Sequence, residues 1–414
     1  MPQSTVSRFV TLKDVRLDIT TIPQDRLNIA AKVRSNLFPW NGQFSPQLVH
    51  AFLETYAPAG STVLDPFMGS GTVLVEAGGL GLRAFGSEIN PAAFKMAQNY
   101  TLINLNGRDR RAVLDHLDDT LHRAFGGSSL FTLDAAQNNA NVGGRLIKLC
   151  ESEADVASQR VLEALVMLLD FYKAGLTAES VLSTWRTLCK KIEGLPQSKA
   201  SIDVANCDAR SLPLWKEAVD LVVTSPPYIN VFNYHQQYRA SAEALGWDLL
   251  HVARSEIGSN RKHRGNRFLT VVQYCLDIAE ALNELCRVCK PDARIIWVVG
   301  RESNVRKTPF LNGDIVTQIG LQCVGLKAEC RQERVFKNKF GILIYEDIIH
   351  FRQQKFDTGM RERPSHIANE ILKRALDHSP SESLGDLKDA LARIDEVKPS
   401  TIYVPAKVRP RNIA

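Results

Sequence analysis

The feature of the sequence that most constrains the fold is the segment Asp65–Thr72, DPFMGSGT, which joins a short apolar run to a helical one. The run before it, Ser61–Leu64, predicts a buried strand, and a helix is expected from about Thr72. A second short strand then closes on Glu88. This order of strand, glycine loop, helix and strand predicts the beginning of a parallel α/β sheet.

The glycine loop also predicts a binding site. Glycines let the backbone pass close to a ligand, and the amides at a helix N-terminus favour anionic groups. Asp65 ends its strand, where it can pair with a cationic ammonium group, and Glu88 is placed to accept both hydroxyls of a ribose, as in dinucleotide-binding folds. The pattern GxGxxG and the GK[ST] of a P-loop are both absent, which disfavours nicotinamide binding and nucleotide hydrolysis.

The second motif is Thr224–Tyr228, TSPPY, which follows the apolar run VDLVV. Two successive prolines remove two backbone donors and leave carbonyls as acceptors. The Ser225 hydroxyl and the Pro226 carbonyl can therefore accept from an exocyclic amino group, whose lone pair is then freer to attack a sulfonium methyl. Tyr228 offers a face for a flipped base. The predicted catalytic residues are Ser225, Pro226, Pro227 and Tyr228. No Pro-Cys dipeptide occurs, which argues against methylation of cytosine C5 through a covalent thiolate adduct.

Together, DPFMGSGT and TSPPY resemble the amino-methyltransferases of DNA, the N4-cytosine and N6-adenine enzymes of restriction–modification systems. The resemblance covers roughly residues 36–105 and 200–352. It implies a Rossmann-like S-adenosylmethionine-dependent methyltransferase fold of the α/β class, with a mostly parallel seven-stranded sheet that ends in a hairpin. It also implies S-adenosyl-L-methionine as the cofactor, double-stranded DNA as the substrate, and a cognate restriction endonuclease as a partner. The SPPY form is commoner among the N4-cytosine enzymes, so cytosine N4 is the favoured target.

The resemblance assigns roles to individual residues of the cofactor site. Asp65, Phe67 and Gly69 would line the methionine end of the cofactor, Glu88 would hold the ribose, and Asp208 would face the adenine amino group. The segment Phe44–Pro46 resembles the one that packs on the methionine from the N-terminal side, and Gln43 stands where many relatives have Lys or Arg. The expected cofactor-binding set is Phe44, Ser45, Asp65, Phe67, Gly69, Gly71, Thr72, Glu88 and Asp208. No metal is expected.

Three other functions remain open at this point. The same site can methylate adenine N6, because a serine hydroxyl accepts from either amino group. Transfer to guanine N2 of RNA is less favoured, since such enzymes usually carry an RNA-binding domain first and only 64 residues precede Asp65. A regulatory module that binds the cofactor without catalysis is disfavoured by the intact TSPPY.

The chain is predicted to have four parts. Residues 1–105 hold an N-terminal segment and the first part of the methyltransferase core, and 106–200 form a helical insertion. Residues 201–352 complete the core with a helix over about 268–289 and two closing strands, LQCVGLKAEC and ILIYEDIIHF, and 353–414 form a C-terminal helical extension.

Positive charge is concentrated after TSPPY. The net charge is +6, and residues 252–270 carry five Arg and Lys against one acid, which predicts contact with DNA phosphates. The predicted DNA-binding residues are Arg254, Arg261, Lys262, Arg264 and Arg267. A second basic run, RQERVFKNK at 331–339, precedes the last strand. Tyr234, Tyr238 and Trp247 can stack on bases, although buried packing explains them equally well.

The remaining features point to an ordinary cytoplasmic protein. No apolar stretch predicts a transmembrane helix, and the N-terminus has no long apolar core of a secretion signal. Cys286 and Cys289 have CxxC spacing in a helical run without a second pair, so we expect two reduced cysteines on one helix face.

Overall fold

The computed structural model describes residues 9–29, 32–34, 36–126, 141–171, 176–229, 234–258, 263, 265–338, 340–354 and 361–404. The strands are β1 Thr62–Asp65, β2 Arg83–Ser87, β3 Ile202–Ala205, β4 Val219–Thr224, β5 Cys289–Gly300, β6 Glu302–Val305, β7 Thr308–Leu311, β8 Lys327–Lys337 and β9 Leu343–Arg352. The α-helices are α1 Gln24–Asn28, α2 Pro46–Tyr56, α3 Thr72–Gly79, α4 Pro91–Ala97, α5 Gly107–Phe125, α6 Val142–Ser152, α7 Val156–Leu169, α8 Ala178–Glu193, α9 Arg239–Ala244, α10 Leu249–Val252, α11 Phe268–Val288, α12 Asn312–Gln318, α13 Pro364–Ala375 and α14 Ser381–Ala392.

Seven strands form one sheet in the order β3-β2-β1-β4-β5-β9-β8. The strands from β3 to β5 in this order are parallel, while β9 runs antiparallel to both β5 and β8. The chain therefore builds outward from β1 to β3, returns to β4, and builds outward on the other side. This topology confirms the predicted fold, including the closing hairpin. The strand order reverses between β1 and β4, where open α/β sheets bind ligands at the carboxyl ends of their strands.

Alternating side chains of the strands enter two different cores. Val63 packs into the cluster with helices α2 to α8, whereas Leu64 packs into the cluster with α11 to α14. Successive side chains of a strand point to opposite faces, so a sheet covered on both sides needs apolar residues at every position. All four residues of β1 are buried accordingly. The molecule is a sheet between two helical layers.

In the described residues of the connection between β2 and β3 there are four long helices, α5 to α8. Their starts are encoded locally: the Asn106 side chain accepts from the Asp109 amide before α5, and the Asp155 side chain accepts from the Ser158 amide before α7. Thr177 and Ser180 form a reciprocal capping pair at the start of α8. The apolar faces of these helices join the core on the α2 side of the sheet, so this segment extends that core.

The structure corrects two local predictions. Residues 321–324 of the predicted strand LQCVGLKAEC belong to a π-helical turn, Ile319–Val324, and β8 begins only at Lys327. The basic run 331–339 precedes the last strand, as predicted, and its residues 331–337 lie within β8. Cys289 is the first residue of β5 and is not on the α11 face with Cys286, although both are free thiols. Apolar periodicity cannot place such boundaries, because a short apolar run fits a strand or a buried helix equally well.

Among the helices in the described part of the chain, none is both long and apolar enough to span a membrane.

Candidate functional site

A cavity lies at the carboxyl ends of β1 to β4, where the strand order reverses. We call it the glycine-loop cavity. Its lining includes Trp40, Gln43, Phe44, Asp65, Phe67, Gly69, Thr72, Glu88, Asp208, Ser225, Pro227 and Glu256. The structure thus brings most of the predicted cofactor residues together with two residues of TSPPY. Two segments some 150 residues apart in the chain meet because their strands are neighbours in the sheet.

Asp65 is buried at the end of β1 and joins this strand to β4. Its Oδ1 accepts hydrogen bonds from the Thr224 hydroxyl at 2.7 Å and from the Phe67 amide at 3.1 Å. Burial raises the pKa of the Asp65 carboxyl to about 7, against the lowering effect of these two hydrogen bonds. A buried carboxyl in this state favours a cationic ligand, because a nearby positive charge offsets its desolvation.

Glu88 closes the glycine loop from the end of β2. One carboxyl oxygen accepts from the Gly69 amide at 3.0 Å, and the other accepts from the Asn90 amide at 2.8 Å. Burial raises the pKa of Glu88 to about 7. The side chain therefore holds the loop and also lines the cavity.

The glycine loop lies against an aromatic wall that the sequence analysis missed. Gly69 has φ of +51°, and a Cβ there would lie 3.1 Å from the indole of Trp40. Trp40 stacks in turn on Tyr234 and Tyr238, with ring centroids 6.2 and 6.3 Å away. Both tyrosines therefore pack against Trp40. The sequence feature that could have identified Trp40 as a site residue is its position three residues before Gln43, in the segment that precedes α2.

Gly71 and Ser45 lie outside the lining of the glycine-loop cavity. Gly71 has φ of +91°, and a Cβ there would lie 2.7 Å from the ring of Tyr100, so its place in the loop follows from backbone conformation and close packing. Ser45 lines a neighbouring cavity instead. Thr72 lines the glycine-loop cavity and donates through its hydroxyl to Asn36.

Asp208 lines the cavity, but its carboxylate is engaged by other groups. Arg210 donates to both of its oxygens, at 2.9 and 2.7 Å, and the Tyr403 amide donates to one of them. Arg210 also donates to Asp277 and to Ser400. These hydrogen bonds hold residues 400–403 next to the end of β3. The C-terminal extension thus supports one wall of the cavity.

The TSPPY residues divide between the cavity and the protein interior. Ser225 and Pro227 line the glycine-loop cavity, whereas Pro226 is buried. The hydroxyls of Ser225 and Tyr228 share a hydrogen bond of 3.2 Å. The Tyr228 ring packs on Gly300, where a Cβ would lie 3.1 Å from the ring, and burial raises the pKa of Tyr228 well above its ordinary value.

A second cavity of about 390 Å³ adjoins the first. We call it the hairpin cavity, because β8 and β9 supply one of its walls. Its lining includes Lys32, Arg34, Gln43, Phe44, Ser45, Ser225, Arg334, Phe336 and Glu346. Ser225 lines both cavities, together with Gln43 and Phe44, so these residues lie where the two cavities meet.

A buried pair, His235 and Glu256, supports the far wall of the glycine-loop cavity. Glu256 accepts from the His235 backbone amide at 2.6 Å and is bonded to the imidazole Nδ1 at 2.7 Å. In the sequence, Glu256 is the lone acid of the basic segment 252–270 that is predicted to contact DNA. Residues 255–257 are instead buried and line the cavity.

The predicted DNA-binding residues are only partly within the described chain. Arg254 is exposed and Arg267 is half-buried, while Arg261, Lys262 and Arg264 lie outside the described residues. Within the described ranges, no group of three or more His, Cys, Asp or Glu side chains is placed to hold a metal ion.

The sequence was compared with known families and proteins. Residues 18–99 match the model of a DNA methylase family. Type II methyltransferase M.MjaII of Methanocaldococcus jannaschii is 36% identical over 88 residues, which are 20% of this chain and 16% of that protein. Type II methyltransferase M.MvaI of Kocuria varians is 22% identical over 65% of this chain and 77% of its own length. Type II methyltransferase M.BsoBI of Geobacillus stearothermophilus is 25% identical over 50% and 51%, respectively.

These matches confirm the resemblance to the DNA amino-methyltransferases and, with it, S-adenosyl-L-methionine as the cofactor. The chain spans less than two thirds of the length of two of the three relatives. The matched residues 18–99 contain the glycine loop, Glu88 and Trp40.

Proposed function

Because residues 18–99 match the DNA methylase family, we propose that this protein methylates the exocyclic amino group of a base in DNA, with cytosine N4 as the target. The observation that carries the proposal is the position of Ser225 where the glycine-loop cavity meets the hairpin cavity. A group bound in one cavity and a base bound in the other would meet at this hydroxyl.

The glycine-loop cavity fits the cofactor. S-adenosylmethionine supplies an electrophilic methyl group on a sulfonium, together with an ammonium group and a ribose. Asp65 would hold the ammonium group, since its buried carboxyl favours a cationic partner. Glu88 would accept the ribose hydroxyls while it fixes the Gly69 amide. Gly69 lies so close to Trp40 that a side chain at this position would crowd the indole.

The TSPPY residues would act on the base. The Ser225 hydroxyl would accept one amino hydrogen of the base, and the Pro226 carbonyl the other. These two hydrogen bonds would hold the amino hydrogens out of the ring plane, so that the nitrogen lone pair is available for the new N–C bond. The bound donor would supply the methyl group with cleavage of its C–S bond, and the proton that the methylated nitrogen loses would pass to solvent. Tyr228 would bound the base on one side, with its hydroxyl holding that of Ser225.

Nucleoside analysis tests this function. Genomic DNA from a host that expresses the protein would be digested to nucleosides and examined by mass spectrometry. We expect N4-methyl-2′-deoxycytidine in DNA from the wild type and less of it with Asp65→Asn. Detection of N6-methyladenine alone would refute cytosine as the target, and 5-methylcytosine would refute amino transfer. Methylguanine in the RNA fraction alone would refute DNA as the substrate.

We also propose that methylation is sequence-specific and that a restriction endonuclease acts on the same sequence. The three relatives are named Type II methyltransferases, which motivates this proposal. Modification-sensitive sequencing of the same DNA would give the methylated sequence. Methylated bases scattered without a common sequence would refute specificity.

A further inference from the structure

The hairpin cavity contains a charged pair beside TSPPY. Arg334 on β8 is directly opposite Glu346 on β9, and Glu346 is opposite Gly300 on β5. The Arg334 Nη1 donates to Glu346 at 3.0 Å. Because the Tyr228 ring packs on Gly300, this pair lies one strand away from the proposed catalytic tyrosine.

Arg334 is buried with unused hydrogen-bonding capacity. Its side chain is 5% exposed, and its Nε has no hydrogen-bond partner among the residues that the structure describes. A guanidinium has five N–H donors, and a buried donor without a partner costs about 1–3 kcal/mol. The protein therefore keeps a buried guanidinium among the residues that line the cavity, although replacement of a buried ion pair by apolar residues is often neutral or stabilising.

The guanidinium is held in a fixed orientation. It lies over the ring of Phe336 at 4.2 Å from the ring centroid, and Glu346 anchors one edge. The other two basic residues of the hairpin cavity are more exposed than Arg334. Arg34 is 44% exposed and pairs with Glu76, and Lys32 is exposed. Arg334 is the buried one of the three.

The cavity is large enough for a nucleobase. Its volume of about 390 Å³ greatly exceeds the roughly 15 Å³ that admits one water on the same measure. Flipped bases are read through hydrogen bonds to their Watson–Crick edge. On that edge, cytosine presents an amino group, a ring nitrogen acceptor and a carbonyl acceptor. Adenine presents an amino group and a ring nitrogen acceptor, but a C–H in place of the carbonyl.

We propose that Arg334 is the residue that selects cytosine, by donating to the 2-carbonyl and the ring N3 of the base whose amino group meets Ser225. This inference rests on the proposed amino-methyl transfer. Adenine would leave one of the Arg334 donors without an acceptor, so it is rejected by loss of a charged hydrogen bond. Glu346 and Phe336 act as positioning residues for the guanidinium.

The test uses the full-length protein and a duplex that contains the methylated sequence once sequencing has located it. In a second duplex the target cytosine is replaced by a 2-aminopyridine C-nucleoside, which keeps the amino group and the adjacent ring nitrogen but has no carbonyl. Hydrogen bonds to charged groups contribute about 1.5–3 kcal/mol, so the wild type should prefer cytosine by roughly 10- to 100-fold in kcat/KM. Arg334→Met combined with Glu346→Gln, which avoids an unpaired buried carboxylate, should reduce this preference to less than about threefold.

Two further variants complete the test. Arg334→Lys keeps the charge without the planar fork and should give an intermediate preference. Arg352→Met removes an ion-paired arginine from the other end of the same hairpin and should keep the wild-type preference. Cofactor affinity measured by calorimetry shows that each variant is folded.

The possible results distinguish failure of the inference about Arg334 from failure of the proposed function. Full preference for cytosine in the folded Arg334 variants would overturn the inference and leave amino-methyl transfer intact. N6-methyladenine as the only wild-type product would also overturn it. No amino methylation of DNA by the wild type would overturn the proposed function itself.

Discussion

The Thr224 hydroxyl donates a hydrogen bond of 2.7 Å to Oδ1 of Asp65, although the two residues are 159 positions apart. This contact joins the end of β4, which leads into TSPPY, to the end of β1, which leads into the glycine loop. The same oxygen accepts from the Phe67 amide. The two motifs are therefore positioned relative to each other by one carboxyl group.

Replacement of Asp65 by asparagine should remove the charge without loosening this junction. An amide oxygen can accept both hydrogen bonds that Oδ1 accepts. We expect the affinity for S-adenosylmethionine to fall by about 10- to 100-fold at pH 8, because a charged hydrogen bond to the ammonium group is lost. Calorimetry would measure this affinity in the wild type and in the variant. Asp220→Asn, at the opposite end of β4, is the control and should bind normally; equal affinity in both variants would exclude Asp65 from cofactor binding.

The same variant should be more stable than the wild type when no cofactor is bound. Burial raises the pKa of Asp65 from 3.8 to about 7, so the folded protein disfavours the carboxylate. Below about pH 4 the carboxyl is protonated in both folded and unfolded chains, and the two proteins should be equally stable. Between about pH 4 and pH 7 the wild type loses about 1.36 kcal/mol of stability per pH unit, which amounts to at most about 4 kcal/mol. Urea unfolding at pH 4 and pH 8 would test this, and a less stable variant at pH 8 would contradict it.

Cofactor binding should strengthen as the pH rises. The pKa values of Asp65 and Glu88 are both raised to about 7 by burial, and the ammonium group is held by the carboxylate form. Below pH 7 the affinity should fall toward tenfold per pH unit, because a proton must leave Asp65 when the ligand binds. Dissociation constants at pH 6, 7 and 8 would measure the slope. In Asp65→Asn the slope should be smaller, and an equally steep slope would assign it to another group.

Changes at TSPPY should affect turnover and leave cofactor affinity intact. Stacking of a base on an aromatic ring contributes about 1–3 kcal/mol, so Tyr228→Ala should lower the single-turnover rate by roughly 5- to 150-fold. Tyr228→Phe keeps the ring and removes only the hydroxyl that is bonded to Ser225, so it should retain more activity. Ser225→Ala should also slow transfer, since one acceptor is lost. A Tyr228→Ala variant with wild-type turnover would remove the ring from the mechanism.

Arg210 should be important for stability. It is buried and donates to Asp208, Asp277 and Ser400, so Arg210→Met would leave two buried carboxyl groups without their cation. Breaking such a network costs about 3–5 kcal/mol. Arg352→Met removes a partly exposed pair and should cost less than about 1 kcal/mol. Urea unfolding would compare them, and equal losses would show that the Arg210 network is not structurally important.

Affinity for DNA should depend on the basic segment after TSPPY. Replacement of Arg261, Lys262 and Arg264 by glutamine should weaken binding to all sequences. The slope of log affinity against log salt should become shallower by about 0.9 for each phosphate contact that is lost. Fluorescence anisotropy over a range of salt concentrations would measure this, with Arg352→Met as the control. Unchanged slopes would place the phosphate contacts elsewhere.

Several features could be predicted from the sequence because they are encoded locally. The apolar run before Asp65 and the glycines after it specify a strand, a turn with positive φ and a helix start, each within a few residues. The double proline of TSPPY is likewise local. From these motifs and their resemblance to a family, the sheet was predicted correctly, and most of the predicted cofactor residues line one cavity.

Other features depend on contacts between distant segments. Trp40 packs on Gly69, Glu256 lines the glycine-loop cavity, and Arg334 lines the hairpin cavity with Ser225, although these residues are far apart in the chain. In the sequence, Arg334 is one residue of the basic run 331–339, and the run alone does not say which of its residues face inward. The sequence by itself determined the local chemistry of the two motifs. Only the tertiary structure decided which side chains surround them, because the order of strands in the sheet brings together residues that sequence spacing cannot relate.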